Sequence, residues 1–356
     1  MRFQLLVQTR RVRRILVMSR INAYVWLLMK GPTDEQYQAG KYGYLPGALV
    51  SAHSLRRCMS RRDKSRLCVM VTHDVGKLAR DQLKLVFDEV ADVDYIQANG
   101  KLMTEKIQQL YAAWKDVACT KWQILGLSQY RKTLLLDCDL IVLKDLSSLF
   151  ELKAPAATFS IPQAFPFVID RKTDQPQKTA IKNMYVRDGK LPRHGDRIEG
   201  REVECALQER SFGPIGTTIL LKPNTDELKE LKELLADDKW CDRHQCYSMV
   251  DEQAIAAYQS RVRQRDWTHI GIDWNFVAGR TPEFGYRWLD DERDAKVIHY
   301  VGTDKPWNTP RGKWADQAIW WQTAEDLVES NSSIDERMLG LSTSKQASAP
   351  KRQKRS

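Results

Sequence analysis

A chain of 356 residues, 42% hydrophobic and 29% charged, can bury a substantial core as one large domain or two smaller ones, which excludes a disordered protein. The net charge of +10 is gathered at the ends, with Arg2, Arg10, Arg11, Arg13, Arg14, Arg20, Lys30 and no acid in residues 1–33 and KRQKRS at the close. Such basicity belongs to tails, so no specific nucleic-acid partner is expected. Seven scattered cysteines give no disulfide framework, and the longest apolar run, Ala23 to Met29, is far short of a membrane span. A cytoplasmic protein is expected, with nuclear import through the basic C-terminal tail or an Arg-rich transit peptide as alternatives for the ends.

Residues 1–21 form a basic N-terminal extension. NAYVWLLMKG then predicts a buried strand, and after a polar loop YLPGALVSAHSLRR carries Ala48, Leu49, Ala52 and Leu55 at helical spacing. RLCVMVTHDV predicts a second strand, LKLVFDEVADVDYI the end of a helix and a third strand, and ACTKWQILGLSQY another helix. Strand and helix alternate, which predicts an α/β architecture with a mostly parallel sheet flanked by helices. A polar segment at about 165–212 interrupts the pattern without a predicted element. TTILLKP then predicts a strand, and TDELKELKELLAD and VDEQAIAAYQSRV predict helices. One domain is expected over 22–325, with a disordered basic tail at 326–356, where the chain turns to Ser, Lys and Gln.

The stretch YRKTLLLDCDLIVLKDLSSLF, residues 130–150, sets Asp137 and Asp139 one residue apart between two apolar runs of strand length. On an extended chain residues i and i+2 point the same way, so both carboxylates converge while Cys138 turns aside. Like charges that close need a neutraliser, and oxygen ligands suit a hard divalent cation; two solvated aspartates in a turn are the alternative. CDRHQC, residues 241–246, resembles half of a zinc site, but a second ligand pair is missing.

Four blocks in order carry a resemblance to the glycogenin-like branch of glycosyltransferase family 8. They are AYVWLLMKG with YLPGALVSAHSLRR, TKWQILGLSQYRKTLLLDCDLIVLKDLSSLF, DEQAIAAY, and VIHYVGTDKPWN, together spanning residues 22–308. The resemblance implies a GT-A fold with a Rossmann-like nucleotide-binding half. It also implies a retaining transfer of a hexose, glucose first and galactose second, from a UDP-sugar to an unknown acceptor.

In that reading Asp137, Asp139 and His299 hold Mn, or Mg, because an imidazole completes a borderline ligand set. Leu27, Tyr44, Lys121, Cys138, Gln253 and Gly302 contact the nucleotide sugar. Lys305 contacts the diphosphate and stabilises it as it leaves. Asp251 and Glu252, at a helix start where carboxylates are also ordinary caps, face the sugar. A homodimer is compatible with the family.

The chain also departs from the family pattern. PIGTTILLKPN keeps Gly216 without the asparagine usual before that strand, Met29 and Lys30 replace small polar residues, and no tyrosine matches glycogenin's self-glucosylation site. The missing asparagine motivates the alternative of a non-catalytic sugar-nucleotide or glycan-binding protein.

Overall fold

The computed structural model describes residues 21–98, 109, 112–159, 168–170, 175–177, 192–208, 213–243, 250–277, 295–302, 304–312 and 317–341. Cys246 and His244 of the CDRHQC stretch lie outside them, as do the N-terminal extension before 21 and KRQKRS.

The first strand, β1 (Ala23–Leu28), shows why a sheet forms here. Tyr24, Trp26 and Leu28 enter the core on one face, while Ala23 and Val25 enter a second core on the other, the period-two alternation of a strand covered on both sides. Helix α1 (Asp34–Gln38) follows, started by a capping box from Thr33, and then α2 (Leu45–Cys58), whose Ala48, Leu49, Ala52 and Leu55 all lie in the first core. Next come β2 (Arg66–Val71), α3 (Lys77–Leu83), β3 (Glu89–Asp92) and a 3₁₀ helix over Lys115–Gly126. That last segment was expected as a helix. It winds more tightly than an α-helix and is long for its type, and it is fixed by its buried Trp122, Ile124 and Leu125.

Strand β4 (Thr133–Leu136) joins β1 in parallel, and β2 and β3 extend the parallel run on the other side. Beyond β4 the sheet turns mixed. It continues through β6 (Ala156–Ala157), β9 (Arg197–Ile198), β10 (Thr218–Leu221) and β11 (Trp267–His269) in the order β3-β2-β1-β4-β10-β6-β11-β9. The α/β expectation holds, with the parallel strands concentrated in the N-terminal half. β5 (Leu140–Val142) leaves this sheet to pair with β13 (Val297–His299), which also pairs with β12 (Phe276–Val277). β7 (Val168–Asp170) and β8 (Gln175–Gln177) form a separate antiparallel ladder.

Helices α4 (Gly200–Gln208), α5 (Thr225–Leu235), α6 (Asp238–Arg243) and α7 (Val250–Ala257) follow in turn, and α7 continues as a π-helical turn over Tyr258–Val262. Asn224 caps α5, accepting from the N–H groups of Asp226 and Glu227.

Two expectations are corrected. The polar segment at 165–212 was expected without an element, yet its last part supplies the edge strand β9 and α4, with Val203 and Ala206 buried in the second core. The tail expected as disordered from 326 is packed as far as Leu341. Helix α8 (Ala318–Ser330) is followed by a 3₁₀ turn over Glu336–Leu339, and Ile334, Met338, Leu339 and Leu341 belong to the first core. Apolar residues at irregular spacing among serines carry no periodic signal, and burial against Trp320 and Trp321 decides the outcome. Among the described residues no helix is long and apolar enough to cross a membrane.

Candidate active site

The buried strand β4 stops at Leu136 and β5 begins at Leu140, so Asp137, Cys138 and Asp139 bridge two sheets at the carboxyl end of a parallel strand, where open α/β folds collect ligands. The Asp137 N–H donates to the Thr217 carbonyl at 3.3 Å. Cys138 is buried and donates through Sγ to the Leu27 carbonyl at 3.2 Å, which turns it away from both carboxylates. The antiparallel register sets His299 opposite Leu140, and the Tyr300 N–H donates to the Asp139 carbonyl at 3.0 Å. One ligand atom each from Asp137, Asp139 and His299 lies within 4.8 Å of the others. His299 Nε2 is 3.4 Å from Asp139 Oδ1, and that buried oxygen has no hydrogen-bond partner. A buried carboxylate oxygen left open in this way is costly, and together with a second carboxylate and an imidazole it makes a donor set that fits a divalent cation such as Mn.

Two ammonium groups flank the aspartates. Lys305 is buried, ion-pairs with Asp139 and donates to the Tyr300 carbonyl at 2.7 Å. Lys121 lies 3.0 Å from Asp137 and 3.3 Å from Asp251, and also donates to the Gly216 carbonyl at 3.5 Å. Burial pushes the Asp137 carboxyl up against the pull of Lys121, with Asp139 adding to the rise. For Asp139 the upward push of burial is outweighed by His299 and Lys305, which hold it well below the usual range. Burial works against the charge on Lys121, but Asp137 and Asp251 overcome it and raise its ammonium.

The start of α7 faces this cluster. Asp251 is buried, and its Oδ1 has no hydrogen-bond partner; the same is true of Gln253 Nε2. The Trp122 indole donates to the Asp251 carbonyl at 3.1 Å, fixing the 3₁₀ helix that carries Lys121 against α7. Glu252 Oε1 accepts the Gly216 N–H at 2.7 Å, and its carboxyl is pushed up to about 8, by burial first and by Asp251 next, against that N–H and Lys121. A side chain at Gly216 would bring Cβ to 2.8 Å from Glu252 Cγ, so the close approach requires glycine.

Tyr44, 47% exposed, precedes α2 and stands edge-on to Trp307 at 5.5 Å, with Lys305 Nζ 5.8 Å from its ring centroid. Gly302 takes φ +83 between His299 and Lys305, the left-handed turn that brings Lys305 back onto Asp139.

Contacts thus link Asp137, Cys138, Asp139, His299, Lys305, Lys121, Asp251, Glu252 and Tyr44. Leu27 joins through its carbonyl, whereas Gln253 and Gly302 are linked to the cluster only along the chain. Sequence reasoning missed Asn275, whose Oδ1 lies 3.1 Å from His299 Nδ1; the surrounding DWNF carries no motif. It also missed Gly47, which leaves room for Trp307 and the Cys138 carbonyl against α2.

The model of glycosyl transferase family 8 matches residues 36–184. Glycogenin-1 of Caenorhabditis elegans is 32% identical over 266 residues, 74% of this chain and 48% of that protein, so the chain spans about half of that relative's length. A mimivirus protein of Acanthamoeba polyphaga mimivirus, named R707 and described as uncharacterized, is 28% identical over 270 residues, 74% of this chain and 78% of its own. Among solved structures, the galactosyltransferase LgtC in complex with donor and acceptor sugar analogs covers 90% of this chain and 100% of its own, at 12% identity and TM-score 0.49.

Proposed function

The chain belongs to glycosyltransferase family 8, glycogenin-like and of GT-A type, and we propose that it is a retaining hexosyltransferase. It takes its sugar from a UDP-sugar, UDP-glucose before UDP-galactose, and passes it to a glycan, protein or small-molecule acceptor. The observation that carries this reading is the joint placement of Asp137, Asp139 and His299 with Lys305 and Lys121 beside them. A divalent ion held by the first three, Mn before Mg, would neutralise the diphosphate.

The chain's own groups do the rest. Lys305 is a compact cation with one carboxylate partner and a carbonyl, free to shift onto a phosphate oxygen as charge grows there. Tyr44 offers an exposed ring beside it for the nucleotide. Departure of the diphosphate leaves the sugar oxocarbenium-like, and Asp251 and Glu252 supply negative or hydrogen-bonding groups to that cationic face. The open oxygen of Asp251 is an acceptor left for that face, and the open amide nitrogen of Gln253 is a donor left for a sugar hydroxyl. The missing acceptor selects water in a simple assay, since a site this complete lets water compete for the activated sugar.

UDP release from a panel of UDP-sugars, with Mn present or chelated, tests the reading. UDP-glucose with Mn is expected to give the highest rate, and Asp139→Asn is expected to abolish the metal-dependent part. Normal turnover by Asp139→Asn with Mn chelated would refute it, and donor binding without any turnover would select the non-catalytic alternative.

A further inference from the structure

Asn275 is fully buried and sits between a 3₁₀ turn, Ile272–Trp274, and the strand β12. Its N–H donates to the Ile272 carbonyl at 3.0 Å, and the register of β12 on β13 sets Val277 beside His299. Backbone on both sides therefore holds the amide in place. Its Oδ1 lies 3.1 Å from Nδ1 of His299, while the other ring nitrogen, Nε2, faces Asp139 at 3.4 Å.

A neutral imidazole carries one N–H and one lone pair. An acceptor at Nδ1 keeps the proton there and leaves the lone pair on Nε2, the nitrogen turned to the two aspartates. The Asn275 amide nitrogen is buried without a hydrogen-bond partner. An apolar side chain of similar size would avoid that cost, so packing alone does not account for an asparagine at this position.

We propose that Asn275 is a positioning residue that fixes His299 in the tautomer with its Nε2 lone pair facing Asp137 and Asp139, preformed for a divalent cation. This rests on the metal-dependent reading above. Outer partners of ligating histidines act in this way, orienting the ring and raising its basicity, and their loss typically weakens metal affinity about 10–100-fold.

The test combines ¹⁵N spectra of the imidazole in the wild-type protein without metal, recorded at a pH where the ring is neutral, with Mn affinity, measured by electron paramagnetic resonance for the wild type, Asn275→Asp and Asn275→Leu. The expected spectrum shows His299 protonated at Nδ1. Asn275→Leu is expected to lose about 10–100-fold in Mn affinity, while Asn275→Asp, whose carboxylate accepts the same hydrogen bond, stays close to the wild type. A proton on Nε2 in the wild type, or equal Mn affinity in Asn275→Leu, overturns the proposal. If Asn275→Leu fails to fold, the wild-type tautomer and the affinity of Asn275→Asp decide. A wild type that binds no Mn refutes the metal-dependent reading itself, whereas binding that is indifferent to residue 275 refutes only the role of Asn275.

Discussion

Lys305 and a divalent cation compete for the same carboxylate. The Lys305 ammonium ion-pairs with Asp139, and a cation held by Asp137, Asp139 and His299 would make that partner redundant and leave Lys305 for a diphosphate. Lys305→Met keeps much of the stem and removes the charge. It strands a buried carboxylate, which typically costs about 3–5 kcal/mol, so the melting temperature without metal is expected to fall. Mn then offsets a larger deficit, and both its affinity and the Tm increase it produces are expected to exceed those of the wild type. Turnover moves the other way, falling about 100-fold or more, because one preorganised donor to the developing charge is gone. Thermal melts with and without Mn, read beside kcat, check the pair of opposite signs. A lowered Tm with unchanged kcat would make Lys305 a structural cation with no part in transfer, and unchanged values in both would give it neither role.

The start of α7 works as a unit with the turn before β10, because Gly216 donates to Glu252 while its carbonyl faces Lys121. Burial and Asp251 push the Glu252 carboxyl up from 4.5 to about 8. A folded-state value above the unfolded one means that the protonated form is favoured on folding. Its contribution is complete below about 4.5 and is lost as pH rises through about 8. Glu252→Gln keeps a carbonyl oxygen to accept the Gly216 N–H and does not ionise. The difference in Tm between variant and wild type is therefore expected to grow in the variant's favour from pH 5 to pH 9, by roughly 2–4 °C for each kcal/mol in a large domain. A difference that is flat across this range would show that Glu252 ionises as it does in water. In transfer the same variant is expected to match the wild type well below pH 8, where Glu252 is itself neutral, and to fall behind it above, where only the wild type carries charge for a cationic sugar.

At the scale of the whole molecule, what the sequence revealed was local and what it hid was long-range. Two apolar runs around Asp137 and Asp139, and the helical spacing of Ala48, Leu49, Ala52 and Leu55, depend on neighbours in the chain and were readable. The departure of β5 into a second sheet, the register that sets His299 opposite Leu140, and the hold of Asn275 on His299 depend on partners far away in sequence. His299 was found only through family resemblance, and Asn275 not at all. The C-terminal segment is the sharpest case, since its polar composition concealed a strap. The Asp335 carboxylate accepts a hydrogen bond from Tyr37 at 3.0 Å, the Asp335 N–H donates to Gln82 at 2.9 Å, and Leu339 is buried in the core shared with Trp320 and Trp321. This ties the segment from Asp335 to Leu341 to α1 and α3, close to the loop that carries Tyr44. Leu339→Ala is therefore expected to cost about 2–5 kcal/mol, as core truncations do, where a solvated tail would tolerate the change within about 0.5 kcal/mol. Urea unfolding reads that difference as a lowered midpoint at constant m. UDP release at low temperature should stay near the wild-type rate, because Leu339 offers no polar or charged group to the site, and an unshifted midpoint would return this segment to the solvated tail that its composition implied.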